Sequence, residues 1–139
     1  MASIGVNLAN IAGTEAALGW AGSHTLVADR PAGRAGGSGL GFNGGELLAL
    51  AIGGCFANDL RYVAHARGVA LGRIVLGVTL DLEGEPLVVT AARMTVDCET
   101  IDGSDPALVI EAARADSTVS NSVARGFPVT IQTSRGSLP

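Results

Sequence analysis

A single long helical segment, Glu46 to Arg67, constrains the fold of this chain more than any other feature. Leu48, Ala51, Ile52, Cys55, Asp59 and Tyr62 recur every three or four residues and share one predicted face. Gly68 suits the position just past a helix end, and His65 and Arg67 suit the negative end of the dipole. The charge-free part, Leu47 to Asn58, falls short of the ~20 residues that a membrane span needs. A core helix is therefore expected, not a membrane helix. Gly53 and Gly54 interrupt it, and each costs roughly 1 kcal/mol against alanine. Such a cost implies close approach to the backbone by another helix or a ligand.

The flanking segments read as strands. Ile4, Val6 and Leu8 alternate, Leu26 and Val27 follow His24, and Gly13, Gly19 and Gly22 read as turns. Residues 70–83 and 87–100 form two long β-patterns, with Gly84, Glu85 and Pro86 between them, which predicts a hairpin. Asp105-Pro106 opens a second helical segment that breaks near Ser117, resumes to Val123 and ends at Gly126. Phe127 to Thr133 reads as a last strand. The order strands, helix, strands, helix, strand implies an α+β fold in one domain, residues 1–139. Between Pro31 and Gly45 runs a glycine-rich segment. Leu40 and Phe42 within it are unlike a polar linker, so an ordered loop is expected.

Composition excludes several chemistries. All nine basic residues are arginine, which removes lysine Schiff bases and the P-loop lysine. A net charge of −4 and a pI near 5.0 argue against nucleic acid and anionic membranes as partners. Mean hydropathy of +0.39 points to apolar surface covered by an oligomer. The first basic residue is Arg30, so no basic leader precedes an apolar run, and a cytoplasmic protein is expected.

Two cysteines make no disulfide framework. Cys55 is either a buried structural thiol or a reactive one. Cys98 alternates with Met94 and Val96 and reads as a packed core residue. His65 lies about 80° round the helix from Cys55 and roughly 15 Å along it, too far to be its base. His24 reads as a solvated turn residue. Two cysteines and two histidines without ligand spacing imply no metal site. The Gly36–Gly41 run lacks the βαβ setting of a dinucleotide fingerprint, so no cofactor is expected.

Phe42-Asn43-Gly44-Gly45-Glu46-Leu47-Leu48, leading to Gly54-Cys55-Phe56, resembles the N-P-E-E-L…A-C-F segment of the OsmC/Ohr family. The stretch Ala115 to Val123, followed by Gly126-Phe127-Pro128-Val129, resembles that family's C-P-V-S-N-x-L…G-x-P-V. Order and spacing agree over residues 14–133. The resemblance implies cytoplasmic thiol peroxidases that reduce organic hydroperoxides. It also implies an intertwined homodimer, with antiparallel sheets wrapped around a central cysteine-bearing helix.

Residue by residue, the peroxidatic cysteine falls on Cys55 and the resolving cysteine on Ser117. The family glutamate falls on Gly45, and no arginine stands at residues 11–16. Arg30 and Arg34 are the nearest substitutes for the family arginine. The implied chemistry is attack of a Cys55 thiolate on a small hydrophobic hydroperoxide, aided by Arg30 or Arg34. Because Ser117 cannot form a disulfide, the reductant would be an external thiol. Two further readings stay open: a dimer of this fold holding a small apolar ligand, and a purely structural dimer.

Overall fold

The computed structural model describes residues 1–134. Their elements are β1 (Asn7–Asn10), β2 (Ala17–Ala21), β3 (His24–Ala28), α1 (Gly44–Arg67), β4 (Leu71–Glu83), β5 (Val88–Thr100), α2 (Ala107–Asp116) and α3 (Thr118–Arg125). This is the α+β order expected, except that it ends in a helix. Contacts divide the described residues into two compact units, Met1–Leu47 with those from Thr130 to Ser134, and Leu48–Val129.

In the first unit, β1, β2 and β3 form an antiparallel meander. Gly13 and Gly22 take positive φ in its turns, as their spacing suggests. Gly19 does not turn. It pairs with Leu8 and Leu26 inside β2, and a Cβ there would lie 3.5 Å from both leucine side chains. A glycine in a strand is a bare patch, and this one floors an apolar hollow of about 250 Å³ lined by Val6, Leu8, Leu26 and Leu47.

The glycine-rich segment that follows is ordered. The Asp29 carboxylate accepts the Ser38 and Leu40 amides at 3.1 and 3.0 Å. The Phe42 amide donates to the Val27 carbonyl at 2.9 Å. This approach is so close that a Cβ on Gly41 would lie 2.0 Å from the Val27 oxygen. Asn43 and Glu46 then cap α1 reciprocally, each backbone amide donating to the other's side chain at 3.0 and 2.9 Å.

In the second unit, β4 and β5 make a hairpin of two 13-residue strands. Ile74, Leu76 and Val78 pair with Cys98, Val96 and Met94, so one face is apolar. On the other face Arg73 bonds Asp97 and Arg93 bonds Asp81. The apolar face packs with Phe56, Leu60, Val63 and Ala64 of α1 and with Val109 and Ala113 of α2.

Two expectations are corrected, and the length argument against a membrane span is revised. The buried face of α1 runs through Ile52, Phe56, Leu60, Val63 and Ala64, while Ala51 and Tyr62 are exposed and Cys55 and Asp59 half-buried. The periodic set chosen from sequence sits to one side of the true core stripe. α1, at 24 residues, is by length and composition apolar enough to cross a membrane, which its charge-free stretch alone is not. The core helix of a soluble protein passes the same test. Finally, Phe127–Thr133 forms no strand. Phe127, Val129 and Ile131 are exposed, and an alternating pattern becomes a strand only where a sheet edge accepts it.

Candidate functional site

Cys55 lies midway along α1, half-buried beside the core stripe. The approach predicted at the preceding glycines comes from a strand. A Cβ on Gly53 would meet Val78 Cγ2 of β4 at 3.1 Å. Gly54 has nothing within 4 Å.

Two polar side chains meet the Cys55 sulfur. Four residues on, Asp59 Oδ2 accepts from Sγ at 3.6 Å. One helical turn brings such a pair together. The Ser117 hydroxyl donates to Sγ at 3.9 Å. Ser117 is fully buried, at 0% exposure, at the break between α2 and α3. It is the residue before α3, where a serine ordinarily caps the first turn. Its side chain makes no such bond and faces the thiol instead. The Asn121 side chain closes the break by donating to the Ala115 carbonyl at 3.0 Å.

The structure thus brings Cys55 and Ser117 together. Arg30 and Arg34 belong to the other unit. The Arg30 guanidinium pairs with Asp29 at 3.2 Å and also donates to the Glu15 carbonyl. Arg34 is exposed, and its backbone shapes the glycine-rich loop through the Pro31 and Gly37 bonds. The chief cause of Asp29's lowered pKa is the Leu40 amide, joined by the Arg30 and Ser38 amides and the Arg30 charge, against the opposing effect of burial.

Cys98 has different surroundings. It is buried in the apolar cluster, and burial pushes its thiol up, with Arg61 opposing the shift. A thiol held protonated is a poor nucleophile. Sequence periodicity puts Asp59 on the Cys55 face without assigning it to the sulfur. The four-residue spacing is the signal that could have paired them.

One turn before Cys55, Ile52 borders a groove of about 360 Å³ that Leu48, Met94, Ser120 and Val123 also line. Ser120 Oγ is buried there without a hydrogen-bond partner. Among the described residues no cluster of histidine, cysteine, aspartate or glutamate could hold a metal ion.

A hairpin packed on a long cysteine-bearing helix, with a three-stranded meander before it, defines the class of this protein. Residues 36–132 match the OsmC-like protein family, and the chain belongs to it. Solved structures agree on the fold. An OsmC-like protein from Mycoplasma pneumoniae superposes with a TM-score of 0.72 at 13% identity, covering 90% of this chain and 89% of that one. An OsmC-like protein of unknown function from Vibrio cholerae gives 0.73 at 11% identity, covering 87% and 93%. A Legionella pneumophila protein described as an organic hydroperoxide resistance protein OsmC gives 0.61 at 18% identity, covering 91% of each chain. A comparison with curated proteins finds no match.

Proposed function

We propose that this OsmC-like protein is a one-cysteine hydroperoxide reductase in which Cys55 is the nucleophile. The observation that carries the reading is the half-buried Cys55 thiol, in contact with a carboxylate and with a fully buried hydroxyl at the break between α2 and α3. Attack on the hydroperoxide oxygen leaves a sulfenic acid and an alcohol. Ser117 cannot resolve that sulfenic acid as a disulfide, so turnover takes an external thiol. The groove beside Ile52 suits an apolar substrate tail.

The test is one equivalent of cumene hydroperoxide followed by peptide mapping. One oxygen should be gained on Cys55 and none on Cys98. Oxidation of Cys98 first, or of neither, overturns the reading. Arg30→Ala and Arg34→Ala complete it. If either arginine raises the thiolate fraction, its removal slows alkylation of Cys55 near neutral pH. Unchanged rates in both variants remove the arginines from the mechanism.

A second reading has its own observation, the apolar hollow over Gly19 in the first unit. A small apolar ligand held there would raise the melting temperature of the Cys55→Ser variant, in which no peroxide chemistry is possible.

A further inference from the structure

Resting on Cys55 as a peroxide-reducing thiol, we propose that Asp59 is the proton carrier of the reaction, taking the Cys55 proton and returning it to the departing alkoxide. Sγ donates directly to Asp59 Oδ2, 3.6 Å away on the next turn of the same helix. Both side chains are half-buried, so the carboxylate is not a freely solvated charge.

The lack of a paired cation among the described residues is the telling feature. Asp29, Asp81 and Asp97 are each held by an arginine. Among the described residues Asp59 makes no ion pair, and its hydrogen bond is the one from Cys55. A bare carboxylate does not stabilise a neighbouring thiolate by charge, because like charges repel. It can accept the proton as the sulfur's electron pair is handed to the peroxide. The pair is therefore arranged for proton transfer coupled to attack.

The step balances. Cys55 Sγ–H yields its proton to Asp59 Oδ2 while the sulfur attacks the hydroxyl-bearing oxygen of ROOH. The S–O bond forms and the O–O bond breaks. The RO fragment leaves with the bonding pair and takes the proton from Asp59 to become ROH. Sulfur is oxidised from thiol to sulfenic acid, the peroxide is reduced to alcohol, and Asp59 ends ionised as it began. The Ser117 hydroxyl, which donates to Sγ, steadies the sulfur's charge during the transfer.

The dependence on leaving group separates proton delivery from a structural role. Cumene hydroperoxide expels an alkoxide, which needs a proton. Peroxybenzoic acid expels a carboxylate, which does not. Single-turnover oxidation of Cys55 would be timed with both oxidants for the wild type, Asp59→Asn and Asp59→Glu. Asp59→Ala takes the place of Asp59→Asn should that variant lose its helical circular dichroism. The expected result is a roughly 100-fold loss with cumene hydroperoxide in Asp59→Asn. With peroxybenzoic acid the loss should be under about tenfold, and Asp59→Glu should recover part of the alkyl hydroperoxide rate. Equal losses with both oxidants, or no loss with either, overturn the role of Asp59 and leave Cys55 as nucleophile. A wild type that reacts with neither oxidant overturns the nucleophile and the proton carrier together.

Discussion

A serine at a helix start that declines to cap the helix is the most informative single residue. Ser117 forgoes a bond commonly worth about 1 kcal/mol and turns its hydroxyl toward Cys55. The resemblance puts a second thiol where Ser117 stands, and the hydroxyl lies 3.9 Å from the Cys55 sulfur. Ser117→Cys should therefore restore a disulfide. An oxygen 3.9 Å from the sulfur leaves a thiol in its place only a small movement from bonding distance. After one equivalent of organic hydroperoxide, mass spectrometry should show the loss of two protons and a peptide crosslinked between Cys55 and the introduced thiol. Over-oxidised Cys55 without a crosslink would mean that α1 and the break between α2 and α3 do not hold these positions in solution. Glu46 shows the opposite case. It stands next to Gly45, where the resemblance puts the family glutamate, yet its side chain is committed to capping Asn43.

At the scale of elements, the glycine-rich loop is held by one carboxylate and one close backbone approach. The amides around Asp29 and the neighbouring Arg30 keep its pKa below the usual carboxylate value of ~3.9. Its contribution to stability is present above that value and is lost as pH falls through the lower folded value. Hydrogen-exchange protection of the Ser38 and Leu40 amides should accordingly collapse below about pH 4 while the hairpin amides stay protected. Protection unchanged down to the acid transition of the whole chain would show that the carboxylate does not organise the loop. The approach at Gly41 leaves no room for a methyl group, so Gly41→Ala should destabilise the protein by about 1–3 kcal/mol. Urea midpoints measure this, and a neutral substitution would mean that the loop lies further from Val27.

For the whole molecule, the exposed apolar surface is what a single chain leaves unexplained. Leu8, Leu18 and Leu26 on the meander, Leu50 and Tyr62 on α1, and Leu87 and Val88 on the hairpin are all exposed in the single chain. Gly54 adds a helix-weakening glycine with no neighbour within 4 Å. A homodimer covering these residues accounts for both observations, and we propose it for this protein. Sedimentation should give twice the 13.9 kDa chain mass. Gly54→Leu, which would favour an isolated helix, should instead weaken association. A stable folded monomer at micromolar concentration would exclude the dimer.

The sequence by itself determined the elements whose signals are local. Apolar periodicity and a C-terminal glycine marked α1. Alternation with a Gly-Glu-Pro turn marked the β4–β5 hairpin, and Asp105-Pro106 marked the start of α2. The resemblance to family motifs singled out Cys55 and Ser117 as the positions to examine together. Tertiary structure decided what depends on neighbours far along the chain. It chose the Ile52–Phe56–Leu60 stripe of α1 over the adjacent one, because the apolar face of the hairpin packs there. It kept Gly19 in a strand and left Phe127–Thr133 out of one, since pairing is a property of an available edge and not of an alternating pattern. It also set the Ser117 hydroxyl against the Cys55 sulfur. Helical spacing put Asp59 within reach of that thiol, but only the fold left the carboxylate half-buried and without an ion pair among the described residues.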